Sequence, residues 1–418
     1  MIPAIASVNQ ADLANQQLKF KQQLENVVAK IAIASDFTIS YGDLKPVVVE
    51  SRLKDYLNQI ATEDLNRYLA AKLQKYIYYI FTTHLGTESQ DSSLKKANKE
   101  ANSDSLPKTD YVNNANKWSK TKFYQELLQN NHGQGYEDPD WLVIEQINDR
   151  WHVTKNDLTL HIQPRHLVEP SAELVPGKLV SLRMPPSLVE RGVYIAVGDV
   201  GSANNRNEVS STEDSAINQL YFNVGTEGAL CLLGSLTQKL NQVRVPFDLR
   251  INYDETEFDR CDVVILEFKN DLIYSVVQTT YQDHQTYFRP EIPFFCKFLA
   301  PGLGFAEKPR SPKGFALTLK GTASHKDSLS PSDLLRNRIS PGSASVGATS
   351  SPKVHQENLG QRCCGIIALA LVELWQQENL PENILNDKNN QLNNKLNYVL
   401  NYLSEERVDI EHLYLNSN

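Results

Sequence analysis

A chain of 418 residues is long enough for two or three domains, and its 41% hydrophobic content allows a sizeable core over part of that length. With 42 Lys and Arg against 50 Asp and Glu, the net charge is −8, and no basic stripe marks a general nucleic-acid binder. The opening MIPAIASVNQADLANQQ lacks the basic start and long apolar run of a secretory signal. The longest apolar run, Ile366–Val372, is too short to span a bilayer.

Residues 10–34 carry a helical pattern, with Leu24, Val27, Val28 and Ile31 on one stripe. Leu65, Tyr68, Leu69, Leu73, Tyr76, Ile77 and Ile80 mark a second helix, whose tyrosines suit the edge of a small bundle. Residues 87–117 are polar and read as a linker. Phe123–Leu128 is a short helical turn. NNHGQGYEDPDW follows it without the strand and helix of a phosphate loop. Gly133, Gly135 and Asp138-Pro139 therefore read as turns, and His132 as a turn histidine rather than a catalytic acid.

From Trp141 to Val200 the pattern turns to β: WLVIEQI, WHVTK, LTLHI, LVSLRM and VYIAV, separated by turn signals, predict a small antiparallel sheet or partial barrel. His161 and His166 lie close in sequence but lack a third ligand for zinc. Residues 201–215 form a loop.

Residues 221–309 are the densest in punctuated elements. A helix follows Thr226, its expected N-cap, with Ala229, Leu230, Leu233, Leu236 and Leu240 on one side. Phe247, Leu249 and Ile251 alternate with Asp248, Arg250 and Asn252 in a strand after Pro246. CDVVILEF, apolar on both faces, predicts a central strand. Asn270 caps a further helix through Leu272, Ile273, Val276, Val277, Thr280 and Tyr281. PFFCKFLAPG is an apolar segment broken by one lysine. Residues 310–357 read as a disordered insertion. A buried helix through Ile366–Val372 follows, then an amphipathic one through Leu396, Val399, Leu400 and Leu403. Cys231, Cys261, Cys296, Cys363 and Cys364 show no zinc spacing and point to a reducing, cytoplasmic setting.

The expected fold is α+β. A helical region spans 1–135, with its linker near 87–117. A β-rich region spans 136–200. A mixed sheet flanked by helices spans 201–418, with the insertion at about 310–357.

Several ordered motifs resemble the HopA-type family of type III secretion effectors. They are Tyr221–Val224 with Gly228-Ala229, Leu236 with Leu240-Asn241, Val245-Pro246-Phe247, Asp259–Asp262, Pro293, Lys297, Leu299–Gly302 through Gly304, Ala306 and Glu307, and Arg362-Cys363. HGQGYEDPDW through LTLHI and LVSLRMP is similar to the N-terminal part of stand-alone bacterial members. The chain departs from the family in the insertion and in the altered segment before Arg362.

Some HopA-like domains are similar to the lyase component of class V lanthipeptide systems, which eliminates phosphate from phosphoserine or phosphothreonine. The resemblance therefore implies a peptide or protein substrate in phosphorylated form and a kinase partner, while the charge distribution and the short apolar runs argue against nucleic acid and membrane. It leaves two alternatives: a non-catalytic interaction module, and an effector acting on a host protein. Elimination needs no cofactor. It needs a base for the Cα proton, cations for the leaving phosphate and donors for the developing enolate oxygen.

Lys297, on an apolar surface with Phe295 and Leu299, suits the base, with Glu307 as its partner. The competing reading is an ion pair pinning the loop, or a snorkelling lysine. Arg250 and Arg260 flank neighbouring strands and would meet at one sheet end if those strands pair antiparallel, a phosphate-binding geometry. Equally, Arg260 could pair with Asp259 or Asp262, and Arg250 with Asp254 or Glu255. Arg362 at a helix start is the third cation. Asp262, Gly302 and Gly304 would wall the site, the glycines permitting close backbone approach or simply making a turn.

Overall fold

The computed structural model describes residues 10–83, 122–156, 158–170, 173–190, 192–204, 216–309, 358–378, 388–406, 408–409 and 412–415. The polar stretch 87–117, the insertion 310–357 and most of the loop 201–215 lie outside them. The fold is α+β, and the chain divides into two compact units that are not contiguous in sequence. One holds Lys108–Ile292 and Phe298–Glu307 with Met1–Val8; the other holds Asn9–Pro107, Pro293–Lys297 and Lys308–Asn418.

The second unit is mainly helical. It contains α1 (Gln10–Lys30), the hairpin β1 (Ile31–Ile33) with β2 (Ile39–Tyr41), α2 (Ser51–Leu57) and α3 (Thr62–Thr83). Two helices from the far end of the chain, Leu359–Glu378 and Lys388–Glu405, complete it. Leu69, Leu73, Ile77 and Ile80 recur at helical spacing and are fully buried. They join Leu24 and Val27 of α1 and Ile366, Ile367, Val399 and Leu403 in one core. Phe81 meets Phe20, Phe294 and Phe295 at ring-centroid distances of 5.3 to 6.1 Å. The first helix stops at Lys30, short of the expected residue 34. The β-branched Ile31 and Ile33 pair instead with Tyr41 and Ile39.

The first unit is mainly β. After α4 (Lys122–Asn130) come β3 (Tyr136–Ile147), β4 (Arg150–Lys155), β5 (Leu158–Ile162) and β6 (Leu179–Met184), which form a four-stranded sheet in the order β5-β4-β3-β6. Its inner face buries Trp141, Val143, Val153, Ile162, Val180 and Leu182. Asp138, expected to start a turn, lies inside β3. Its carboxylate accepts from Lys155 Nζ at 2.5 Å and Trp141 Nε1 at 3.0 Å. The following Asp140 has φ 64°, where the register with β6 shifts. The turn signal therefore marks a bulge rather than a strand boundary.

The larger sheet adds β7 (Ser187–Glu190), β8 (Val193–Val197), β9 (Asn218–Phe222), β10 (Phe247–Asn252), β11 (Val264–Phe268), β12 (Lys297–Ala300) and β13 (Leu303–Glu307), in the order β12-β13-β9-β11-β10-β8-β7. VYIAV, expected in the small sheet, is β8 and pairs with β10 here. Tyr194–Val197 are all buried. Such a strand needs cover on both faces, which an interior place in the larger sheet provides. The predicted central strand is β11, fourth of seven.

Directly paired residues share a face. Phe247, Leu249 and Ile251 stand with Phe268, Leu266 and Val264 on a fully buried face. Helices α5 (Thr226–Gln242) and α6 (Ile273–Asp283) pack on each other, and α5 lies against β10. The opposite face carries Asp248, Arg250, Gln219, Tyr221 and Glu267. There Ser202 Oγ donates to Asp248 at 2.6 Å, and Asn204 Nδ2 donates to both Asp248 and Glu267. Gln219 Nε2 donates to Glu267 at 2.8 Å, and Tyr221 OH to Gln219 at 2.9 Å. The two buried carboxylates thus keep their hydrogen bonds.

Candidate functional site

Phe222 ends β9 opposite both Val264, which opens β11, and Leu303, which opens β13. Three strand ends therefore share one rim, and the first turn of α5 begins four residues past Phe222. Gly225 rather than Thr226 is the N-cap, and it brings no side chain to the turn. Asn223 N–H donates to Gly302 O at 2.9 Å, Arg289 N–H to Asn223 O at 2.9 Å, and Gly302 N–H to Pro290 O at 3.1 Å. Asn223 Nδ2 donates to Glu291 O at 2.9 Å.

Arg289 is the hub of this rim. Its Nη2 donates to Val224 O at 2.8 Å and to Phe258 O at 2.6 Å. One side chain thus ties the end of β9 to the turn before β11, while its own backbone borders the Gly302 turn. Burial holds the guanidinium below its ordinary pKa, against the pull of Cys261, Glu291 and Asp259. Two further polar atoms here, Arg289 Nε and Asn223 Oδ1, are buried without a protein hydrogen-bond partner.

Arg260 lies in the turn before β11. Its Nε and Nη2 reach the two oxygens of Asp262 at 2.8 and 2.7 Å, and Nη1 reaches Glu257 Oε2 at 2.9 Å. Of the two arrangements open to it from the sequence, the internal pair with Asp262 is the one formed, and Glu257 is added to it. Burial raises the Glu257 carboxyl, with Arg260 pulling it back. Desolvation likewise raises Asp259, opposed by Arg260 and Arg289. Cys261, fully enclosed, is raised well above a free thiol and stays protonated.

The remaining predicted residues are distributed as follows. Arg250 sits inside β10, opposite Ile265 and Ile195, rather than at the strand's end. The pairing of β10 with β11 is antiparallel. Gly304 stands opposite Tyr221 in β13, and Glu307 closes that strand opposite Asn218. Lys297 and Arg362 belong to the other unit, and the remaining six to this one. Lys297 Nζ lies 5.7 Å from the centroid of the Tyr414 ring, a cation–π distance. Arg362 donates its backbone N–H to Asn358 O at the start of its helix.

The sequence reading missed Arg289 and Asn223. The signal for Arg289 was there: a lone cation between Phe288 and Pro290, the same anomaly that singled out Lys297. Asn223 lay inside the Tyr221–Val224 motif, but nothing there set it apart, because its role is to bridge segments distant in sequence.

Gly302 has φ 71°, and a Cβ there would fall on the Arg289 carbonyl oxygen. Left-handed backbone alone costs a non-glycine residue about 1–2 kcal/mol. Gly302→Ala is therefore expected to lower the melting temperature and to displace the rim. A variant with unchanged thermal unfolding would remove this turn from the frame of the site.

An α+β fold with this rim is the setting in which the family relation stands. Residues 184–318 match the HopA1 effector protein family, and that stretch contains Asn223, Arg260, Arg289 and Gly302. The HopA-type resemblance read from the motifs holds over this segment. The effector protein from Pseudomonas syringae pv. tomato strain DC3000 is 12% identical, with a TM-score of 0.30, over 54% of this chain and 63% of that one. The effector protein from Pseudomonas syringae pv. syringae strain 61 is 13% identical, with a TM-score of 0.26 and the same coverage. The chain thus spans less than two thirds of either protein. No curated protein matches it. Among the described residues no helix is long and apolar enough to cross a membrane.

Proposed function

We propose that the HopA1-family segment acts on a peptide or protein substrate, and that its reaction is elimination of phosphate from phosphoserine or phosphothreonine. The observation that carries this reading is the gathering of Arg260, Arg289 and the opening turn of α5 at one rim inside the matched segment. Helix N-termini and arginine forks are the two protein groups best suited to phosphate. Each assignment drawn from the resemblance is open to a single test: Lys297 with Glu307 for removing the Cα proton, and Arg250, Arg260 and Arg362 for holding phosphate. Asp262, Gly302 and Gly304 serve as wall. A kinase partner would supply the substrate. The five free thiols support a reducing compartment, the cytoplasm of the producing cell or of a host.

The second reading is a non-catalytic interaction module, with an effector acting on a host protein as the third. It is favoured by the commitment of Arg260 to Asp262 and Glu257, which already offset its charge.

Incubation with phosphorylated peptides, followed by mass spectrometry, separates the two. The lyase reading expects loss of phosphoric acid with wild-type protein and none with folded Lys297→Ala. It expects weaker phosphopeptide binding by Arg260→Ala. Binding without a mass change in the peptide would support the interaction module. Wild-type turnover by Lys297→Ala would rule that lysine out as the base.

A further inference from the structure

We propose that His152 and His161 form a two-imidazole chelate for a divalent transition-metal ion on the outer face of the four-stranded sheet. His152 of β4 stands directly opposite His161 of β5, and their ring centroids are 4.1 Å apart. Cross-strand partners hold their Cβ atoms about 4.5–5.5 Å apart, a span from which two imidazoles can close on one ion. The face is open: His161 is exposed, and the His152 side chain is partly so.

A third residue is brought to the same row by a defect in the ladder. Val143 pairs with Val153, but Glu145, not Ile144, pairs with His152. Without that bulge Glu145 would oppose Trp151 and point to the other side of the sheet. With it, Glu145 Oε1 comes to 3.6 Å from His152 Nδ1. A carboxylate there favours the tautomer with the proton on Nδ1, leaving the Nε2 lone pair for a metal. Among the described residues no group of three or more His, Cys, Asp and Glu is arranged to hold a metal ion. The site is therefore an open chelate with Glu145 as orienting residue, and its other positions are left to water or to a ligand from outside. Imidazole donors select copper, zinc or nickel over magnesium.

His166, the nearer partner of His161 in sequence, is engaged elsewhere. Its Nδ1 accepts from Gln163 N–H at 3.0 Å, which leaves the ring proton on Nε2.

The test is calorimetric titration of the full chain with Zn²⁺ and Cu²⁺, with Mg²⁺ as control. The wild type is expected to bind Cu²⁺ more tightly than Zn²⁺ and to ignore Mg²⁺. His161→Gln and His152→Gln should each weaken the tightest site by about tenfold or more, and Glu145→Gln by a similar or smaller factor. His166→Gln should bind as wild type. Because His161 is exposed, His161→Gln keeps the fold, which circular dichroism verifies. Equal affinities of wild type and His161→Gln, loss of binding in His166→Gln, or a wild type that takes up no Zn²⁺ at micromolar concentration would overturn the proposal.

Discussion

Leu369→Asp is expected to yield no cooperatively folded second unit. Leu369 lies in the Leu359–Glu378 helix at 3% exposure, between Ala368 and Ala370, which have none. A carboxylate there loses its hydration, and an unpaired charge in such a place costs several kcal/mol even after relaxation. Whole-domain stability is only about 5–15 kcal/mol. Leu369→Met, which conserves volume, should cost less than about 1.5 kcal/mol. The measurement is the soluble fraction and the cooperativity of thermal unfolding for both variants. Soluble Leu369→Asp protein with a wild-type transition would put this helix at the surface and undo the architecture of the unit.

Asp138→Ala is expected to destabilise the first unit by about 3–5 kcal/mol, the usual result of removing one partner of a buried ion pair. Asp138 is buried, and the Lys155 side chain is 9% exposed. Deleting the carboxylate leaves the Lys155 ammonium with the Pro139 carbonyl, 2.7 Å away, but without its counter-charge, and takes the acceptor from the Trp141 N–H. The double replacement Asp138→Ala with Lys155→Met should recover much of the loss, because the desolvated charge disappears with its partner. Denaturant unfolding of the two variants and the wild type supplies the comparison. A single variant within about 0.5 kcal/mol of wild type, the range of ordinary surface changes, would mean that the pair contributes nothing.

Periodicity made the long helices and the strands Phe247–Asn252 and Val264–Phe268 legible, because each buries one stripe or both faces and writes this into residue order. Register was less legible. Asp138-Pro139 reads locally as a turn, yet its neighbours in the ladder hold it in a strand. VYIAV reads as one more strand of the nearest sheet, although its burial assigns it to the other. For the site, Arg260 and Asp262 were foreseeable because their spacing of two residues lets them meet. Of the rim, Gly302 was named but Asn223 and Arg289 were not, since most of its bonds join groups tens of residues apart. Lys297 stood out by charge in apolar surroundings, a signal that says a cation is held but not by what, and Arg362 only by its place at a helix start.

The helix Thr62–Thr83 completes its core with the helix Leu359–Glu378, and Gln74 Nε2 donates to Gln361 O across 287 residues of sequence. During synthesis the early helices must leave the ribosome long before their packing partner exists. The first unit, apart from its opening residues, ends at Glu307, so it can finish folding in that interval. Contacts of such separation slow folding, and an amphipathic helix with an uncovered stripe is the kind of surface that chaperones hold. A chain stopped after about residue 310 should therefore contain the first unit, with most of the matched stretch 184–318, attached to orphaned early helices. Its aggregation would arise from those helices rather than from the segment that carries the rim.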